Sequence, residues 1–105
     1  MKKIIFTEHA PAPIGPYNQA VLVGNTLYTS GQIAIHPITG VLVMDDIQTE
    51  TKQVMENMKA VLNAAEMTFL NVINTSIFIS ILNVFAKIIE VYGSYFEEKS
   101  APARE

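Results

Sequence analysis

The 105-residue chain is half hydrophobic and only 16% charged, a balance that supplies a packed core and excludes intrinsic disorder. It has no cysteine, which excludes disulfides, thiol catalysis and cysteine-ligated metals and permits a reducing compartment. The formal charge is −3, and no basic stripe is present, which argues against binding to nucleic-acid phosphate backbones.

The length suits one domain over residues 1–105. An apolar excess in so small a unit points to an oligomer interface. The opening Met1-Lys2-Lys3-Ile4-Ile5-Phe6 starts like a signal peptide. Its apolar run stops at Thr7-Glu8-His9, too short for a leader or a membrane span, so Lys2 to Phe6 is expected as an edge strand. Ala10 to Pro16 carries three prolines and a glycine, which forbid helix and ladder alike and leave an ordered loop. Tyr17–Val23 and Thr26–Ser30, separated by Gly24-Asn25, predict a hairpin. His36 to Gly40 is a second turn, followed by a short strand over Val41 to Met44.

Asp45-Asp46 opens a helix running to Ala65, with Asp45 and Gln48 spaced as a capping box. Ile47, Val54, Met55, Met58, Val61, Leu62 and Ala65 fall on one stripe of it. The β-branched run Val72 to Ile79 predicts a central strand. A second helix starts at Asn83, and Phe85, Ile88, Ile89, Tyr92, Tyr95 and Phe96 form its apolar face. Pro102 keeps Ser100 to Glu105 extended. Strands, helix, strand, helix and an extended end make an α+β architecture with both helices on one sheet face.

Few residues present themselves for chemistry. His9 and His36, the only histidines, sit in turn-prone stretches without ligand spacing, so no metal site is expected. The five glycines form no phosphate loop, and Ser30 lacks a nucleophile-elbow context. Asp45-Asp46 reads as a cap, and Glu97-Glu98 as a solvated helix end. Tyr92 and Tyr95 read as packing residues whose hydroxyls can reach solvent or a pocket. Arg104 stands apart, the one arginine beside six lysines. Arginine is the side chain suited to a planar, two-pronged grip on a carboxylate. Its place next to the last residue also fits a solvated terminus, and the residues alone do not separate these readings.

Three segments bear on that choice. Ala10 to Ala20, APAPIGPYNQA, resembles the opening pattern AP..IGPYSQAV of the RidA/YjgF reactive-intermediate deaminase family. Leu27 to Ile33, LYTSGQI, resembles its LYxSGQI strand, and Pro102-Ala103-Arg104 its PAR motif. The resemblance spans nearly the whole chain, and its weight lies in the order and spacing of the pieces.

The resemblance implies a chorismate-mutase-like sheet with two helices on one face, a homotrimer with clefts between subunits, and a cytoplasmic location. It implies hydrolysis of small 2-imino acids or their enamine tautomers to 2-oxo acids and ammonia, without a cofactor. Arg104 and Tyr17 would be the catalytic pair. Ser30, Gly31, Gln32 and Tyr92 would contact the substrate, and neither nucleic acid nor membrane is an expected partner.

The chain also departs from the family pattern. The family continues past this point into a closing strand with a glutamate that positions the attacking water, so a longer parent protein is expected. Ile89 stands where many deaminases have an asparagine. Ile81-Leu82-Asn83-Val84-Phe85 replaces the family's DMNDF turn, and Glu66 replaces a helix-closing glycine. These departures keep open a non-catalytic trimer that binds small carboxylates or regulates a partner. The ribonuclease label carried by some members is a third reading, which the acidic charge and the lack of a histidine pair oppose.

Overall fold

The computed structural model describes residues 2–79, 82–97 and 100–105. Strands β1 (Lys2–Ile5), β2 (Ala20–Val23) and β3 (Thr26–Thr29) form an antiparallel sheet in that order. The expected hairpin is present, but β2 begins at Ala20, and Tyr17 to Gln19 lie in the preceding loop. Val23 pairs with Thr26 across a two-residue turn in which Gly24 takes φ 59°, the geometry a type II′ turn requires at its first position. The expected strand over Val41 to Met44 is reduced to one bridge, Ile35 to Leu42. The His36 to Gly40 turn closes it, with the Gly40 amide donating to the His36 carbonyl at 2.9 Å.

Helix α1 spans Ile47–Ala64. Its cap is Asp46, one residue later than the capping box places it, and the Asp46 carboxylate accepts from the Thr49 amide at 2.7 Å. That amide bond, first among the causes, holds the exposed Asp46 carboxyl below the ordinary carboxylate range. At the other end the Glu66 amide donates to the Asn63 carbonyl, and the Met67 amide to Leu62, both at 2.9 Å. This is a complete Schellman closure, and it forces Glu66 to φ 60°.

The stripe expected on α1 faces inward. Val61 is fully buried and packs with Ile5, Ala10 and Ala20, and Leu22, Leu27, Ala60 and Ala65 flank them. Period-2 alternation explains the sheet side of this core. Lys3–Leu22–Leu27 and Ile5–Ala20–Thr29 are rows turned toward α1, whereas the intervening row Ile4–Val21–Tyr28 points the other way.

Helix α2 (Phe85–Gly93) packs beside α1 and is entered through a 3-10 turn, Leu82–Val84. Of the expected ILNVF turn, Ile81 lies outside the described residues, as does Glu98 of the expected solvated helix end. The buried Ile88 and Tyr92 lie on the expected apolar face. Phe69 and Phe96 stack edge to face at 5.3 Å, and Tyr92 packs on Phe96 at 4.9 Å.

The long central strand is a correction. Only Asn74–Thr75 (β4) forms a regular strand, parallel to β5 (Ala103–Arg104), with the Ala103 amide donating to the Ile73 carbonyl and the Ile77 amide to the Glu105 carbonyl on either side. β-branched residues favour extended backbone, but a ladder needs a partner along its whole length. Among the described residues β4 has one partner, two residues long, and Phe78 is left 94% exposed. The molecule measures 42 × 35 × 19 Å. Its least dimension matches one sheet layer plus one helix layer, at about 10 Å each, so the outer sheet face has no cover.

Candidate active site

The residues singled out from sequence fall into two groups. The first gathers around the loop before β2 and the end of β3. Gln19, 98% buried by its 2% exposure, organises it. Its amide oxygen accepts from the Thr7 amide at 2.7 Å, and its nitrogen donates to the carbonyls of Thr7, Ala10 and Pro11. A proline-rich loop cannot pair its backbone in a ladder, so a side-chain amide does so instead. Tyr17 follows this loop, half exposed, and its hydroxyl oxygen accepts from the Ile14 amide at 3.3 Å. The phenolic proton stays available for a ligand.

Ser30 is drawn to the same loop. Its amide donates to the Gln19 carbonyl at 2.9 Å and its hydroxyl to the Asn18 carbonyl at 2.5 Å. The Ser30 oxygen therefore remains only as an acceptor. A Cβ placed on Gly31 would meet nothing within 4 Å. Packing within the chain does not require this glycine, and the space in front of its backbone is open. Gln32 turns its amide back to the Ser30 carbonyl at 3.4 Å. The chain beyond it is held by Asn57 of α1, fully buried, which donates to the carbonyls of Ile33 and Ile35 at 3.0 and 2.9 Å. Gln53 donates to the Asn57 oxygen at 2.8 Å, so every arm of that amide is used.

The second group lies where β5 meets α2. Arg104 is exposed, with its guanidinium carbon 5.5 Å from the Phe85 ring centre and 5.8 Å from that of Tyr92. Tyr92 does not aim its hydroxyl into a pocket. That hydroxyl bonds to the Thr75 hydroxyl at 2.7 Å, and the ring contributes its face. Among the described residues no hydrogen bond joins the Arg104 group to the Tyr17 group.

A surface cavity of about 590 Å³ adjoins the first group, sharing Thr7, Gln53 and Asn57 with it, while Thr75, Phe85, Tyr92 and Arg104 of the second do not line it. His9, His36, Glu56 and Lys59 are among its walls, so the two histidines line one cavity although nothing in their spacing announced it. The His36 Nδ1 is occupied in accepting from the Ile38 amide at 3.2 Å. Glu56 accepts from the Tyr95 hydroxyl at 2.6 Å. Burial and that carboxylate together push the Tyr95 phenol above its ordinary range. Among the described residues no three acidic or histidine side chains are grouped to hold a metal ion.

Sequence reasoning missed Gln19 and Asn57. Both look like ordinary surface amides in one dimension. A glutamine closing a proline-rich loop and an asparagine within an amphipathic helix were the available cues.

The family model for Endoribonuclease L-PSP matches residues 7–105. The chain belongs to this family, which includes the YjgF/RidA proteins. Within the L-PSP family, a RutC family protein of Pyrococcus horikoshii is 52% identical over 104 residues, 99% of this chain and 82% of that protein. The human protein named 2-iminobutanoate/2-iminopropanoate deaminase is 42% identical over 99% of this chain and 75% of its own length. Among solved structures, E. coli TdcF with bound serine superposes with a TM-score of 0.91 at 43% identity. It is matched over 98% of this chain and 82% of its own. The E. coli YjgF gene product gives 0.90 at 41% identity, over the same shares. The YjgF-type α+β fold expected from the RidA/YjgF resemblance is therefore the fold of this protein. No helix among the described residues is long and apolar enough to cross a membrane.

Proposed function

We propose that the protein hydrolyses small 2-imino acids, or their enamine tautomers, to 2-oxo acids and ammonia. The observation that carries this reading is Arg104, an exposed guanidinium set against two aromatic rings in an otherwise uncharged strand. The deaminase name of the human relative supports it. Arg104 would grip the carboxylate through two parallel N–H bonds. The Tyr17 hydroxyl and the Ser30 oxygen would shape the pocket or order a water, and the open backbone at Gly31 would admit the substrate closely. Water adds to the C=N carbon, the amine leaves as ammonia, and the carbonyl forms. An imine needs no further activation than positioning and one ordered water, so no cofactor is called for.

Arg104 and Tyr17 would meet across a boundary between subunits of a homotrimer. The uncovered sheet row Ile4–Val21–Tyr28 and the exposed Ile73 and Phe78 support such an interface.

The test is the rate of 2-oxobutanoate formation from 2-iminobutanoate generated in situ. Wild-type protein is expected to outpace spontaneous hydrolysis. Arg104→Ala should lose about ten- to hundredfold in kcat/KM, the equivalent of a charge-assisted bond of about 1.5–3 kcal/mol. Arg104→Lys should stay impaired, because an ammonium cannot make the fork contact. No acceleration by wild type would reject the reading. Ile89 on α2 favours a second one, carboxylate binding without turnover, which calorimetry with 2-oxobutanoate would reveal.

A further inference from the structure

We infer that Phe85 and Tyr92 are positioning residues, two rings that brace the Arg104 guanidinium so that its in-plane N–H edge is presented, already ordered, to a carboxylate. The inference rests on the reading of Arg104 as the anchor and says what makes that residue competent.

A long side chain on an exposed strand samples many rotamers, and that freedom is lost when it seizes a ligand. A residue in that situation binds weakly unless something orders it beforehand. Here two rings do so. Phe85 and Tyr92 are seven residues apart on α2, two helical turns, and so lie on one face. Both ring centres are within 6 Å of the guanidinium carbon, the range in which a cation is attracted to an aromatic face.

The brace is itself held. Tyr92 is 93% buried by its 7% exposure, packs on Phe96, and bonds through its hydroxyl to Thr75. Thr75 is the residue opposite Arg104 in the β4–β5 pair. Arginine, ring, threonine and strand pairing thus close a circuit around one register position. Phe85 is different, being 39% exposed at the first residue of α2. The Arg104 guanidinium lies over its ring. The two uses of Arg104 do not compete. A ring takes the flat face of the guanidinium, and a carboxylate takes its edge.

Because the chain has one arginine, its Nε–Hε group gives one resonance in a proton–nitrogen spectrum. In the full chain that signal and the neighbouring Cδ protons should show ring-current displacement and restricted motion. Phe85→Leu should move them toward random-coil positions and sharpen the signal. It should also weaken 2-oxobutanoate binding and raise KM for 2-iminobutanoate by roughly two- to fivefold per ring lost, with kcat little changed. Phe85→Trp should restore both. Tyr92→Phe keeps the ring but loses the bond to Thr75, so it should weaken affinity less than Tyr92→Leu does. Tyr92→Leu should lose it, and Phe85, being on the surface, supplies the decisive pair if that variant does not fold. An Arg104 signal at its random-coil position in wild type, or one indifferent to Phe85→Leu, overturns the brace. A ring-dependent Arg104 signal that does not respond to 2-oxobutanoate leaves the brace standing and overturns the anchor reading instead.

Discussion

Glu66 is where the side chain and the backbone disagree most. The Schellman closure of α1 needs a left-handed residue, and Glu66 fills the place at φ 60°. A side chain with a Cβ is strained there, and a carboxylate also meets the negative end of the helix dipole. Glu66→Gly is therefore expected to stabilise the protein by about 0.5–1 kcal/mol. A higher denaturant midpoint with an unchanged slope would show it; an unchanged or lower midpoint would contradict it. Arg104 shows the opposite relation. In one dimension it was a lone arginine beside the last residue, and its surroundings alone separate an ordered guanidinium from a frayed end.

At the scale of elements, two buried amides do what ladders do elsewhere. Gln19 satisfies the backbone of the proline-rich loop, and Asn57 ties the stretch after Gly31-Gln32 to α1. Asn57→Leu keeps the branched shape but leaves the Ile33 and Ile35 carbonyls without their donor. The expected loss is about 2–3 kcal/mol, against less than about 0.5 for Lys59→Ala on the exposed side of the same helix. Chemical denaturation of both variants, with hydrogen exchange over residues 31–36, provides the comparison. Equal stability of the two would remove Asn57 from its supporting role. The same scale explains the shortened strand. The Val72 to Ile79 run has strand character throughout, but its backbone bonds to residues 103–105 are confined to Ile73 to Ile77.

At the scale of the molecule, one sheet layer and one helix layer leave an apolar face open. Ile4, Val21 and Tyr28 form a row across it, and burying such a row is what association achieves. The proposed trimer predicts a solution mass three times the 11.6 kDa of the chain by light scattering. Tyr28→Lys should shift that mass toward the monomer, since a charge on each copy would be buried unpaired. A monomer for the wild type at micromolar concentration would remove the shared-cleft arrangement of Arg104 and Tyr17.

Periodicity is a local property, so the sequence by itself determined the inward stripe of α1, the hairpin about Gly24-Asn25 and the extended end that carries Arg104. The segments that carry Tyr17, Ser30, Gly31, Gln32 and Arg104 stood out by family resemblance, being short and contiguous. What only the tertiary structure decided depends on residues far apart in the chain. Which aspartate caps α1, how little of Val72 to Ile79 pairs, and which way the Tyr92 hydroxyl points all turn on partners that local pattern does not specify. Arg104 is the clearest case. Its type was written in the chain, but the rings of Phe85 and Tyr92 reach it only after α2 has packed over β5.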